Sequence, residues 1–582
     1  MYLTNRRRLA GRIVAIIAAV SLIAACGNDS DDNAQETTTT TAAGGDDSTT
    51  TTEAEDDLEI TYGGTLTVGL EAETNSWLPS VASVANAGPL IAFAVYDPIA
   101  ARGADGEIHP YLAESIEHND DLTEWTITLR EGIKFHDGTD LTSEVIKKNF
   151  DNYLNAEGAR SAADAALIEE IRIDDPLTYT YVLKQGNAAF IDLLTARMGW
   201  PFSNEACEEW GDACGDHPVG TGPFVFESWN RDAELKVVRN ENYWRKDEAG
   251  NQLPYLDAIV FRPIPDEDTR FQAVRAGDNM VGQTLRQTIV RQAILAADSG
   301  EINNLVNIGN NGTNAIFNTL VPPMDDTRVR LGLAHAVEQS SLIAVLGGEG
   351  ITPDQTQFFS PDSPWYSSEV ADAYPKYDPE KARELLDEYV NDPSRSDGKA
   401  PGSPISLEFQ CPPDPTLSAL TQGYQQFWSE VGVETHLNQV DQAQLITNVV
   451  GSADQNPPYL GNYMISCYRL GSQDDPYTAF RGQFGDVSTQ LANSTNYTSD
   501  NIDAQIEVLR TSTDFSERYA AVESMMMEFT EQMPLVWTGG TATALFSNLK
   551  VHGLDGWYTP EGVAGIGMTQ GYTNLVQTWI EK

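Results

Sequence analysis

Residues 27–57 hold nothing that could build a core, and this fixes where the fold can begin. Arg6, Arg7, Arg8 and Arg12 precede an apolar run from Ile13 to Ala25 that ends Leu22-Ile23-Ala24-Ala25, and Cys26 follows. A basic segment, a short apolar segment and small residues before a cut site make a secretory signal over residues 1–25. As a helix this run spans about 20 Å, short of a ~30 Å hydrocarbon core, which argues against a retained membrane anchor. An ordinary signal peptide cut elsewhere is the other rival, and Arg7-Arg8 lack the rest of a twin-arginine motif. Residues 26–57 then run through Asn, Asp, Gly and Ala with threonine tracts at Thr37–Thr41 and Thr49–Thr52. Nothing there repays the entropy of ordering, so this stretch reads as a tether and the folded part starts near Leu58.

The order Ile23-Ala24-Ala25-Cys26 resembles the lipobox of bacterial lipoproteins. That resemblance implies a diacylated Cys26 as the new N-terminus. It would place the protein on the outer face of the bacterial cytoplasmic membrane, held by lipid.

Loss of residues 1–25 leaves 557 residues, enough for more than one domain. The signal removes four of the 36 basic residues and none of the 86 acidic ones, so the mature charge is −54. Such a field repels nucleic acid and anionic headgroups, and no basic patch supports either partner. The plainer reading is a solvated surface, suited to a salty medium that screens self-repulsion. Four cysteines remain besides Cys26, and an exported chain can pair them. Three connectivities are possible. Spacing favours Cys207 with Cys214, closing a small loop, and Cys411 with Cys467, tying distant segments. A zinc site at Cys207, Cys214 and His217 is the rival, without an evident fourth ligand.

Up to about Asn310 the chain is rich in strands. Thr65 to Leu70 reads as a buried strand, Glu124 to Leu129 alternates with period two, Phe224–Phe226 and Glu234–Val238 look like a hairpin, and Ile259–Phe261 is a short strand. Beyond it helices dominate. Arg328 to Leu346 is expected as one helix, and Asp378-Pro379-Glu380 starts another. Ile405–Cys411, Leu417–Val431 and Gly432–Leu437 make a strand–helix–strand unit. Asp514 to Phe529 is a helix with a capping box between Asp514 and Glu517. Met525, Met526 and Met527 on it read as core neighbours rather than a greasy groove. No internal repeat is visible.

Several stretches, in serial order, resemble the extracytoplasmic solute-binding proteins of peptide-class ABC importers, family 5. They include Val95 to Phe150, within which Leu129, Arg130, Gly132, Phe135, His136, Asp137 and Gly138 carry a Leu-Arg-Xaa-Gly-Xaa-Xaa-Phe-His-Asp-Gly pattern. Gly220 to Trp229, Asn240 to Trp244, Asp266 to Asp278, Pro322 to Gln339, Tyr377 to Glu388 and Asp475-Pro476 follow. The resemblance runs from about Leu58 to the end. It implies an α/β, two-lobed periplasmic-binding-protein-like (type II) fold, with an extra subdomain in lobe one and a chain that crosses the hinge twice. Lobe one is expected at 58–310 and lobe two at 311–539, with Met533 to Trp537 leading the return to lobe one at 540–582. It also implies a receptor without enzymatic activity or cofactor. This receptor would be a monomer that traps peptides or small polar solutes by lobe closure and hands them to ABC permease subunits.

Expected ligand contacts are Trp77, Trp200, Gln357, Phe359 and the segment carrying Tyr463, Ser466, Tyr468, Arg469 and Asp474. Arg469 is suited to a ligand carboxylate. Peptide binders of the family carry an acid four residues before the proline of Asp-Pro. Here Ser472 stands there, and Asp474 is the nearest substitute, so a sugar or metal complex is an alternative ligand, with a permease-independent sensory role. A secreted hydrolase is the rival class. No HExxH zinc motif, GxSxG elbow or Walker loop is visible. His136 and Asp137 could pass for a catalytic pair, but beside Gly138 they read as a structural turn.

Overall fold

A computed structural model describes residues 59–82, 88–156, 162–309, 312–452, 455–470, 475–485 and 493–582. The expected signal, the lipidated Cys26, the tether, Ser472 and Asp474 lie outside these residues, as does the side chain of Arg469.

Two sheets organise the folded body. The first has seven strands in the order Asn303–Gly309, Thr541–Ser547, Val281–Thr284, Thr65–Leu70, Ala258–Pro263, Glu234–Arg239 and Phe224–Asn230. Its centre is parallel: Thr65–Leu70 lies beside Ala258–Pro263 on one side and Val281–Thr284 on the other. Strands buried on both faces read as continuous apolar runs, and Leu66 and Val68 are fully enclosed. One face packs on the larger core. The other is covered by the helices Glu267–Ala276 and Gln287–Asp298 through Phe271, Val274, Ile289 and Val290.

The second sheet has five strands in the order Glu434–Gln439, Ser406–Cys411, Ile465–Arg469, Thr313–Phe317 and Leu535–Val536. Its own core centres on Phe317, Phe409, Tyr424 and Trp428. The strand–helix–strand unit expected around residue 420 is here: Pro415–Glu430 links two strands paired in parallel. The sulfur atoms of Cys411 and Cys467 are bonded, tying neighbouring strands of this sheet, and those of Cys207 and Cys214 are bonded in lobe one.

The two sheets are joined by two crossings. Asn303–Gly309 leads up to Thr313–Phe317, and Leu535–Val536 leads back to Thr541–Ser547. The crossings lie side by side, since the incoming and returning strands pair on both sides of the junction. Gly312 has no room for a side chain: a Cβ there would sit 2.1 Å from the Gly539 carbonyl oxygen. A third, four-stranded antiparallel sheet (Ala113–His118, Glu124–Leu129, Thr178–Leu183, Ile168–Ile173) forms the extra subdomain with the helix Ser143–Asn155.

Two local expectations need correction. Arg328 to Leu346 is not one helix but two, Thr327–His335 and Gln339–Val345. The chain turns extended at Glu338, which lets Gln339 donate to the carbonyls of Gln355 and Trp537 at the return crossing. The Asp514 cap is present, but Glu517 does not reach back directly. Asp514 accepts from the Glu517 amide at 2.9 Å, while Ser512 bridges the Glu517 carboxylate to the Asp514 amide. On the helix Phe515–Gln532 that follows, Met525 and Met526 are core residues.

Candidate functional site

Between the two sheets lie two adjoining chambers of about 440 Å³ and 500 Å³. Volumes of this size are ordinary for a small-molecule site. The chambers share Arg102, Ile566, Thr569 and Gln570, all of them from lobe one.

The first chamber is walled from both sides. Lobe one supplies the turn around Asp105 and the strand end Asn307–Gly309, and lobe two supplies Phe359, Trp365, Asp475, Phe515 and Arg518. Asp475 caps the helix Pro476–Phe484, accepting from the Tyr477 and Thr478 amides at 2.8 Å and 3.3 Å. Its other oxygen takes a 2.6 Å bond from Arg518. The Arg518 guanidinium lies 5.5 Å from the Trp365 ring, which packs on Phe515 at 4.8 Å. Among the described residues, four carboxylates (Asp105, Glu107, Asp362, Asp475) face two guanidiniums (Arg102, Arg518), so this chamber is net acidic.

The second chamber belongs almost wholly to lobe one. Phe93, Tyr111, Trp200, Trp557 and Tyr572 give it rings, and among the described residues only Thr478 and Arg481 reach it from lobe two. Trp200 lies parallel to Tyr96 at 6.5 Å and meets Phe93 edge-on at 5.7 Å. Its Nε1 is buried without a hydrogen-bond partner among the described residues. Arg102 pairs with Asp192, and Arg197 donates to the carbonyls of Pro79 and Ala82. Arg481 stands 3.7 Å from Asp164, an ion pair that spans the two lobes. Burial pushes the Asp164 carboxyl above its usual range. Among the described residues, three guanidiniums (Arg102, Arg197, Arg481) face two carboxylates (Asp164, Asp192) here, the reverse of the first chamber.

Away from the crossings the lobes touch at further points, among them Arg291, which donates to the Gly347 and Glu349 carbonyls. The Ala188 amide donates to the Arg510 carbonyl at 2.7 Å, Arg510 donates to the Gly186 carbonyl, and Ala189 sits in the core of lobe two.

Beneath the second chamber is a buried ionisable scaffold. Asp97 accepts from Tyr243 and from Trp244, each at 2.9 Å, and Arg245 donates to the Tyr111 hydroxyl. Burial raises the Asp97 pKa to about 6, against the opposing pull of those hydrogen bonds and of Arg245.

Of the residues singled out from sequence, Trp200 lines the second chamber and Phe359 the first. The other described side chains fall elsewhere, Asp474 and the Arg469 side chain lying outside the described residues. Trp77 is buried against Trp229 and lines neither chamber. Gln357 spends its amide on the backbone of Ser367. Tyr463 donates to the Ser494 carbonyl, and Ser466 is fully buried within its sheet. Tyr468 is half-buried between lobe-two side chains. Arg469 pairs by its backbone with Thr313. His136 is buried with Nε2 at 2.9 Å from the Gly222 carbonyl, and burial lowers its pKa to about 4, while Asp137 accepts from the Thr139 amide and hydroxyl. Asp137 also accepts from the Ser203 hydroxyl, which caps the helix Asn204–Trp210, so these groups are spent on locking a turn. Sequence reading missed Arg102, Arg197, Arg481, Arg518 and the 566–574 segment. Arg481, five residues past Pro476 on a capped helix, was the one with a usable signal.

A double-lobed body with a solute-sized cleft between sheets joined by paired crossings agrees with what comparison finds. The model of the bacterial extracellular solute-binding proteins, family 5 (middle), matches residues 107–490. The chain belongs to that family. Its curated relatives include the glutathione-binding protein GsiB of Salmonella paratyphi A, 28% identical over 372 residues, which are 63% of this chain and 67% of the relative. GsiB of Escherichia coli O157:H7 is 29% identical over 351 residues, 59% of this chain and 63% of that one. Among solved structures, DppA of Helicobacter pylori in complex with the peptide STSA superposes with a TM-score of 0.69 at 20% identity, covering 90% of this chain and 99% of that chain. The family 5 fold is thus the two-lobed type II binding-protein fold. These relatives are binding proteins, and no helix among the described residues is long and apolar enough to cross a membrane.

Proposed function

We propose that this family 5 protein is the capture subunit of an ABC importer, taking up peptides or similar small polar solutes and delivering them to permease subunits. The observation that carries the reading is the interlobe cleft itself: charged and aromatic groups from both lobes converge on solute-sized space with opposite net charge at its two ends. Relatives named for glutathione and peptide binding support that ligand class. Closure would expel water and strengthen each polar contact left inside. The binding equilibrium would then bias the open–closed equilibrium, which a partner can read.

Within this reading Trp200 and Phe359 are ligand contacts, one in each chamber, joined by Arg481 and Arg518. The protein itself transforms nothing, works as a monomer, and is tethered through acylated Cys26 by residues 27–57 to the outer face of the membrane. Mass spectrometry of solute released from the denatured, freshly purified protein tests the ligand class. A peptide or peptide-like zwitterion is expected, and a sugar or a metal chelate would replace the reading. A Cys26→Ser chain should leave the membrane fraction on export.

A further inference from the structure

The four residues that line both chambers are held with more care than a packing accident requires. They come from two short ribbons of lobe one. Residues 102–104 and 564–566 pair through a bridge at Gly103 and Gly565, and through Ile566 N–H to the Arg102 carbonyl at 3.0 Å. Trp557 Nε1 holds the Ile566 carbonyl at 2.8 Å. Gly565 lies so flat on that indole that a Cβ would stand 2.1 Å from it. Arg102 is fixed twice more, by Asp192 and by the Gly106 carbonyl.

The second ribbon ends in a two-residue turn. Thr569 and Tyr572 are bridged, with Gln570 at φ 48° and Gly571 at φ 85°. Successive left-handed residues make the tight hairpin turn whose twist suits paired strands. Glutamine is a costly choice for the first of them, because a left-handed backbone crowds its Cβ against the following carbonyl. The Gln570 backbone N–H also donates to Asn307 Oδ1 at 3.4 Å, on the strand that leads into the hinge crossing. The strained position therefore carries a long side chain at the point where both chambers meet.

We propose that Arg102, Ile566, Thr569 and Gln570 form a length selector. They confine a bound solute to one chamber and exclude chains that would need both. The inference rests on the capture reading above and adds the rule by which ligands are sorted. Each chamber alone holds a compact solute, whereas a longer extended chain must displace the neck. The neck cannot yield cheaply, because backbone hydrogen bonds and an indole fix it.

Oligoalanines of three and six residues are the probes, measured by titration calorimetry on the full-length protein and two variants. Gln570→Gly removes the side chain and suits the left-handed backbone. Gln570→Asn shortens it and also tolerates that conformation. Both should melt at or above the parent temperature. Parent protein is expected to prefer trialanine over hexaalanine by at least about 30-fold. Gln570→Gly should cut that ratio at least about 10-fold by gaining hexaalanine affinity, with Gln570→Asn in between. An unchanged ratio in both folded variants overturns the selector while leaving the capture reading intact, and so does a parent that prefers hexaalanine. If neither length binds the parent or the variants, the peptide reading falls and the selector falls with it.

Discussion

The two chambers differ in how they are made. The second is nearly complete within lobe one, with ring walls and two guanidiniums, and among the described residues takes Thr478 and Arg481 alone from across the gap. The first exists only when lobe two brings Phe359, Trp365, Asp475 and Arg518 against the Asp105 turn and Asn307. A solute can therefore find a preformed half-site in the second chamber while the lobes are apart. The first chamber can supply affinity only through closure. Preorganised contacts cost less to use than contacts assembled on binding.

That contrast can be broken by substitution. Trp200→Ala, in the preformed chamber, should weaken binding of trialanine about 100-fold, and Trp365→Ala, which a solute held in that chamber feels only through lobe closure, by no more than about 10-fold, both by calorimetry. The opposite order would show that closure, not lobe one, supplies most of the affinity.

The scaffold beneath the second chamber gives the next largest effect. Asp97 is raised to about 6 in the fold, so the folded state holds its proton more tightly than the unfolded state does. Its contribution is fully present below the unfolded value near 3.8 and is lost as pH rises through 6. Asp97→Asn keeps an acceptor for Tyr243 and Trp244 without the charge. Its stability relative to the parent should improve by about 2 kcal/mol between pH 4 and pH 7, read from denaturant melts. His136 slopes the other way. With its folded pKa lowered to about 4, it stays neutral while the unfolded chain takes up protons below 6.5. The parent curve across this range therefore hides two opposed terms that the single variant separates.

Arg481→Met tests a charged reach of lobe two into the second chamber. It removes the interlobe pair with Asp164, and binding should weaken about 10-fold with little change in melting temperature, since the pair is partly exposed. The smallest effect concerns both lobes alike. With a net charge of −50 over the whole chain, raising salt from 0.05 to 1 M should lift the melting temperature by a few degrees.

How much of this could be read from the chain follows from what each feature depends on. Thr65–Leu70, Glu124–Leu129 and the 406–439 unit were legible because apolar periodicity and caps are local. The break near Glu338 was not, since it answers to the distant backbone of Trp537. The cleft was harder still. Trp77, Gln357, Tyr463 and Ser466 have the chemistry of ligand contacts, yet the fold spends them on packing and backbone hydrogen bonds. Arg197 and Gln570 lie in segments with no motif, Arg102 lies in one whose pattern marks other residues, and the three meet because the chain returns to lobe one after leaving it.

The central claim is that two lobes close on a small solute held between them. Small-angle X-ray scattering of protein stripped of bound solute, before and after saturating trialanine, tests it most directly. The account predicts a smaller radius of gyration with ligand, reversed on dialysis. An unchanged radius, at a concentration where calorimetry shows the site to be full, would contradict it.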